Sequence, residues 1–333
     1  MEKYEKFEKK LIGILNTSLN AKAWSDLLPM AKEILRHFKI NDKEMDFSKI
    51  SISTKHMLAK RLAQCLNPEF PNGVHEVILD IYTYLLTNIN IKQDMALQDN
   101  LGLYSSGLFP FFSHASLQNK KKFLDNIIRN ILLNVRLDEM ILCFPGILAS
   151  LIPGLDDNDE KTTKLIFQSF DDFIIKLKDQ GQSQIFFGSL WTLLLRNQHL
   201  RSGGMKYLIQ KVITYKDLME KTQEEQKELI DFYYPNINTT TINALGEIIQ
   251  DNEIPILRNG MDFIMTRFPL IKENTIITDD AKINLITKVL KSFIKNEQSV
   301  IRRLNKWISG ITSMQEDEPD FQNEGMKYLM NLV

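Results

Sequence analysis

The stretch MLAKRLAQCLNPEFPNGVHEVILDIYTYLL, Met57 to Leu86, decides the fold. Its first half sets Leu58, Leu62, Cys65 and Leu66 on one helical face, with Lys60 and Arg61 on the other. Asn67, Pro68, Pro71, Asn72 and Gly73 then interrupt, because proline lacks the amide hydrogen that a helix interior needs. The second half carries Val74, Val77, Ile78, Ile81, Leu85 and Leu86 as another apolar stripe. This reads as a helix, a tight break and a second helix.

Helical periodicity runs outward from there. Lys3 to Leu15 presents Tyr4, Phe7, Leu11 and Leu15 on one face, and Lys22 to Phe38 presents Leu27, Ala31, Ile34 and Phe38. Pro29 predicts a kink, or a helix start near Ser25. Asn41 to Ser53 is a polar connection. Ile91 to Leu101 and Leu108 to Phe112 read as short pieces, limited by Gly107 and Pro110. Helices follow over Leu117 to Val135, Leu165 to Leu177 and Ile185 to Leu195.

The later chain repeats itself. Gly204-Met205-Lys206-Tyr207-Leu208 recurs as Gly260-Met261-Asp262-Phe263-Ile264 and as Gly325-Met326-Lys327-Tyr328-Leu329, at offsets of 56 and 65 residues. Each copy follows an apolar helix and a polar break. Leu79-Asp80-Ile81-Tyr82 fits the same frame. A helix pair that cannot bury its stripe alone buries it against the next pair, so the recurrence predicts a stacked array. DNEIPILRNGMDFI, with Asp251 in the turn and Arg258 opening the second helix, resembles a HEAT repeat. The period exceeds a plain HEAT unit, so extra helices or long loops must intervene. Singly, Gly203, Gly204, Gly260 and Gly325 read as turn residues at helix starts; their recurrence points to close helix approach.

Composition agrees. The 333 residues are 44% hydrophobic and 25% charged, which excludes a disordered chain. That length favours two domains or an elongated array over one core. Only 14 glycines and 10 prolines argue against a turn-rich β fold. With 41 basic and 42 acidic residues, the net charge of −1 excludes the concentrated basic footprint of a dedicated nucleic-acid binder. Cys65 and Cys143 both lie among apolar residues, as buried free thiols of a reducing cytosol do. MEKYEKFEKKLIGIL mixes acids with bases and is no signal peptide. Met140 to Leu155 is uncharged, but falls short of the roughly 20 residues of a spanning helix. Pro145 and Pro153 interrupt it, and it reads as a helix buried on all sides.

The search for chemistry returns no constellation. His37, His56, His75, His114 and His199 do not pair at helical spacing. His75-Glu76 begins like a metalloprotease helix, but Leu79 stands where the second ligand would be. No phosphate-cradling glycine loop, dinucleotide fingerprint or nucleophile elbow occurs. Asp156 to Glu160 lacks the glycine of a calcium loop and reads as a solvated turn. No catalytic, metal or cofactor residue is expected. Lys60 and Arg61, and Lys120, Lys121 and Lys122, are the candidate contacts for anionic lipid or a partner, against the bland reading of solvated lysines. Arg196, His199 and Arg201 flank a turn.

Several runs resemble the N-terminal region of the Dopey family. They are KRLAQCLNPEFPNGVHEVILDIY (Lys60 to Tyr82), WSDLL (Trp24 to Leu28), LGLYSSGLFPFFSHAS (Leu101 to Ser116), LIPGL (Leu151 to Leu155) and LWTLLLRNQHLRSGGMKYL (Leu190 to Leu208). They occur in the family's order, with the signature over residues 20–215 and further HEAT-like repeats over 216–333. The expected fold is therefore an all-α solenoid of HEAT-like or armadillo-like pairs, one array over residues 1–333. The family's chains are much longer, so a chain stopping at Val333 without a cap suits a fragment or a short version. The resemblance implies a non-enzymatic scaffold, cytosolic and peripheral on Golgi and endosome membranes, acting in vesicular traffic. It implies work with a phospholipid flippase, with a large Golgi scaffold related to Arf exchange factors and with kinesin, and contact with phosphoinositide membranes. The competing class is a generic HEAT-repeat adaptor of the transport-receptor or phosphatase-scaffold type. Such an adaptor would not require the RLAQCLNP and SSGLFPFFSHAS runs. An enzyme would demand a convergent polar pocket.

Overall fold

The periodic segments become helices in the computed structural model, which describes residues 2–17, 24–41, 50–92, 100–271, 274–292 and 297–309. Among these residues there is no β-strand, and the protein is all-α. The chain divides into two compact units, Met1–Gln180 and Gly181–Val333.

The first unit opens with α1 (Glu2–Thr17), α2 (Trp24–Asn41), α3 (Ile52–Cys65) and α4 (Asn72–Lys92). It continues with α5 (Leu101–Phe111), α6 (Leu117–Lys122), α7 (Arg129–Asn134), α8 (Leu137–Leu151) and α9 (Glu160–Asp179). A π-helical turn, Phe123–Ile128, joins α6 and α7 into one run. Two layers result. One stacks α1, α3, α5 and α8 in order; the other stacks α2, α4, the α6–α7 run and α9.

The deciding stretch behaves as its residues dictate. The Ser51 hydroxyl caps α3 by accepting from the Thr54 N–H, and Glu8 of α1 accepts from the Ser51 N–H at 2.6 Å. Leu58, Leu62, Cys65 and Leu66 are buried, as are Val74, Ile78, Ile81, Leu85 and Leu86; Val77 is half-buried. Gly107 of α5 sits against Ala63 of α3 so closely that a Cβ there would lie 2.2 Å from the Ala63 Cβ. That approach explains a correction: Gly107 and Pro110 do not break α5. The glycine is a contact point inside the helix, and Pro110 is exposed one residue before its end. Pro29 lies inside α2, whose start at Trp24 is within one residue of the helix start expected near Ser25.

Met140 to Leu155 also differs from expectation. The stretch Leu137–Leu155 is long and apolar enough to cross a membrane by length and composition, and 44% of its most apolar window is buried. One face, with Met140, Phe144, Ile147, Leu148 and Leu151, is buried, and α8 packs on α5. The opposite face is not buried: Leu142 is 77% exposed. Pro145 lies on the exposed side in mid-helix, where water is available to the carbonyl that its missing N–H leaves open. Cys65 is buried as expected, whereas Cys143 is half-buried.

The second unit contains α10 (Gln184–Arg196), α11 (Arg201–Lys211), α12 (Tyr215–Met219), α13 (Gln223–Tyr233), α14 (Ile242–Ile248), α15 (Ile254–Arg267), α16 (Asp279–Ser292) and α17 (Gln298–Ile308). Here α10, α14 and α16 stack in order, as do α11, α15 and α17. The first two repeat copies fall on α11 and α15. Met205, Tyr207 and Leu208, and their counterparts Met261, Phe263 and Ile264, are fully buried. α12 and α13 are the extra helices that lengthen the period between these copies. The third copy, at Gly325, lies outside the described residues. Gly204 and Gly260 are not turn residues but stand inside their helices. A Cβ on Gly204 would lie 2.4 Å from Leu194, and one on Gly260 2.7 Å from Ile248, each in the preceding helix of its own pair.

Candidate functional site

The five basic candidates lie in the first unit and have different surroundings. Lys60 and Lys121 are exposed. Lys120 is buried: its ammonium donates to Asp157 Oδ2 at 2.6 Å and lies 5.5 Å from the centroid of the Phe112 ring. Lys122 donates to Asp80 Oδ1 at 2.7 Å and to the Glu76 carbonyl at 3.0 Å, tying α6 to α4. Lys120 and Lys122 are thus spent on partners inside the fold. The cause is position: on an amphipathic run whose neighbours carry Asp80 and Asp157, these stems lie along the buried side.

Arg61 borders a groove of about 590 Å³. The C-terminal half of α3, the turn that follows it and the second half of α5 form its walls. Leu66, Phe70, Pro110 and Phe111 supply apolar lining, and Gln64, Asn67, Ser106 and His114 supply polar lining. No lining residue is acidic. Arg61 Nη1 donates to Gln64 Oε1 at 2.6 Å, and its Nε is buried without a protein acceptor.

Two imidazoles hold the turn that shapes this groove. His75 Nε2 is 2.9 Å from the Asn67 carbonyl, and His114 Nε2 is 3.1 Å from the Leu66 carbonyl. The Leu66 carbonyl is one that the end of α3 leaves open, and the Asn67 carbonyl also accepts from the Phe70 N–H at 3.0 Å in the turn. Phe111 packs edge-on to both rings, at 5.0 and 5.3 Å between centroids. Burial lowers the His75 pKa, while its bond to Asn67 opposes that shift. His75 therefore serves as a turn support. Among the described residues no group of three or more His, Cys, Asp or Glu could hold a metal ion. Cys65 borders the groove, but burial pushes its thiol up to about 11, which makes it a poor nucleophile.

In the second unit several arginines serve the fold. Arg201 donates to Asp251 Oδ2 at 2.8 Å, linking the start of α11 to the turn before α15. Arg258 repeats the device one pair later, donating to Glu297 Oε1 at 2.6 Å in the turn before α17. Arg201 is thus buried in a ladder and does not merely flank a turn, whereas Arg196 and His199 are exposed.

A second ladder ties helix ends. Arg267 of α15 donates to the carbonyls of Ile209 and Val212 at 2.8 and 2.9 Å, where α11 ends. Trp307 of α17 donates to the Phe268 carbonyl at 2.8 Å, where α15 ends. In the first unit Lys176 of α9 donates to the Leu132 and Val135 carbonyls, where α7 ends. Sequence reading singled out Asp251 and Arg258 but missed their pairing with Arg201 and Glu297, and the whole of the second ladder. The available signal was the arginine standing two or three residues before the repeat glycine, in Arg201/Gly204 and Arg258/Gly260.

Among the described residues the chain defines an all-α protein of layered helices, with arginine–acid links in the second unit and a lined groove at a proline turn in the first. The sequence comparisons give the family. A family model described as "Dopey, N-terminal" matches residues 1–313, and the chain belongs to that family. Protein DOP1B of Xenopus laevis is 24% identical over 324 residues, covering 92% of this chain and 13% of the relative. Protein pad-1 of Caenorhabditis elegans is 25% identical over 307 residues, covering 92% and 12%. Protein DOP1 of Saccharomyces cerevisiae is 21% identical over 344 residues, covering 93% and 20%. The chain thus spans 12–20% of the length of these relatives. No solved structure matches.

Proposed function

We propose that this chain is a non-enzymatic scaffold in membrane traffic between Golgi and endosomes, built as a solenoid of HEAT-like or armadillo-like helix pairs. The family match over residues 1–313 carries the reading. The Arg201–Asp251 and Arg258–Glu297 links support the HEAT-like comparison, because each joins one pair to the turn of the next. What the family resemblance implies of partners enters here as well: a phospholipid flippase, a large Golgi scaffold related to Arf exchange factors, and kinesin. The protein acts in the cytosol and sits peripherally on those membranes.

Attachment through protein partners is favoured over direct lipid contact. Of the five basic candidates, Lys120 and Lys122 already hold Asp157 and Asp80, so only Lys60, Arg61 and Lys121 remain to attract anionic headgroups, at about 1 kcal/mol per lysine or arginine near the surface. The test is fractionation of cells expressing the tagged full-length protein, with proximity labelling. Recovery with Golgi and endosome membranes, sensitive to loss of its labelled protein neighbours, is expected. A protein wholly in the soluble fraction, with no membrane-traffic neighbours labelled, would overturn the reading.

A further inference from the structure

We propose that the groove between α3 and α5 binds an acidic peptide segment of a partner protein, with a ligand carboxylate on Arg61 and an adjacent apolar side chain against Phe70, Pro110 and Phe111. This deepens the scaffold reading and rests on it.

The argument begins with charge. The lining contains Arg61 and no acid, so a negative ligand meets no repulsion from the walls. Arg61 keeps one N–H, on Nε, buried without a protein acceptor, and its Nη1 is held by the neutral Gln64 amide. A guanidinium whose one bound acceptor is uncharged keeps its full charge for a ligand carboxylate in the groove that it lines.

The second argument is shape. The groove has depth, about 590 Å³, with apolar lining from α3, the turn and α5. A side chain can enter it, and Gln64, Asn67 and Ser106 supply amide and hydroxyl groups for a peptide main chain. A lipid headgroup carrying several phosphate charges would call for several cations, and of the lysines in the candidate set none lines the groove.

The third argument is rigidity. Gly107 presses on Ala63, and His75 and His114 hold the turn carbonyls, so the walls are fixed before a ligand arrives. Apart from Leu27 of α2, the residues that line the groove belong to the two runs Lys60 to Tyr82 and Leu101 to Ser116, which meet here.

The test selects a phage-displayed library of short random peptides on the purified chain, then measures enriched peptides by fluorescence polarisation. Enrichment of Asp or Glu beside an apolar residue is expected. Arg61→Gln should weaken binding about tenfold or more, the scale of a lost charged hydrogen bond. Because Arg61 is half-buried, Ser106→Trp is the second variant: it fills the groove from an exposed position and should abolish binding with the helical signal unchanged.

No enrichment, or enriched peptides that bind both variants like the wild type, would overturn the proposal. So would Arg61-dependent binding of phosphatidylcholine vesicles containing phosphatidylinositol 4-phosphate in place of any peptide, which would make the groove a lipid site. Failure here is separable from failure of the scaffold reading, since the full-length protein would still fractionate with membranes.

Discussion

Asp251→Ala measures what the arginine ladder contributes. The Asp251 carboxylate has no exposed side-chain surface and accepts from Arg201 Nη1 at 2.8 Å, Gln198 Nε2 at 3.2 Å and the Glu253 N–H at 3.0 Å. Arg201 is itself only 9% exposed at its side chain. Removing the acid leaves a buried guanidinium without its counter-charge, a change that costs about 3–5 kcal/mol. Two contacts pull the figure toward the lower end. Arg201 keeps its bonds to the Leu194 and Glu247 carbonyls at 3.0 and 3.2 Å, and the half-exposed Glu247 carboxylate lies 3.9 Å away. We expect about 3 kcal/mol. Arg201→Met keeps the apolar stem and removes the charge. The double variant should therefore be less destabilised than the sum of the singles, by about 1 kcal/mol or more. Urea unfolding in a Trp24→Phe background, followed by the fluorescence of Trp191 and Trp307, reads the midpoint shifts at constant slope. A cost below about 1 kcal/mol, or strict additivity, would refute the ladder as an energetic element. The pH dependence has a definite sign. Burial pushes the Asp251 carboxyl up, but the Glu253 N–H, Arg201 and Gln198 outweigh it and hold it below the ordinary carboxylate range. A carboxyl depressed by folding contributes stability above its unfolded pKa of about 3.9, and loses it as pH falls through the folded value. The difference between wild type and Asp251→Ala should thus be flat from neutral pH to about 5 and shrink below about 4.

Gly107→Ala should cost about 2–3 kcal/mol, because the new Cβ would lie 2.5 Å from the Ala63 Cα, a backbone atom that cannot turn aside. Gly73→Ala, with nothing within 4 Å, should stay within about 0.5 kcal/mol in the same melt. Leu62→Ala and Ile81→Ala, both at fully buried positions, should each cost about 2–5 kcal/mol, and a change below about 0.5 kcal/mol would show the core assignment wrong. Native-state alkylation at pH 8 followed by mass spectrometry should modify the half-buried Cys143 well before Cys65, whose thiol burial pushes up to about 11; equal rates would mean that α3 opens readily.

The helices were legible because burial imposes a period. Leu58, Leu62 and Cys65 recur every three or four residues, and the chain breaks where Pro68 and Pro71 remove donors. The repeat at Gly204 and Gly260 was legible because identical packing demands identical residues. What the sequence concealed was pairing. Lys120 and Lys122 look like any exposed lysines; only the approach of Asp157 and Asp80, 37 and 42 residues away, makes them internal. Gly107 looked like a breaker because its contact with Ala63 lies across two helices. The groove was hidden for the same reason: Arg61 and Ser106 share a wall only after α3 and α5 stack. Leu142 shows the opposite error, since an uncharged run gives no hint of which face meets solvent.

The carbonyl links between successive helices have a direction in time. Lys176 closes the end of α7 from 41 and 44 residues downstream, and Arg267 closes the end of α11 from 55 and 58. A ribosome adding about 5–20 residues per second therefore releases each of these helices several seconds before its final bonding partners exist. During that interval water must hold the open carbonyls, and the helix end frays. Translation speed between Val135 and Lys176 thus sets how long α7 waits unfinished, and slow codons there would extend the interval in which its apolar stripe is available to chaperones or to neighbouring nascent chains.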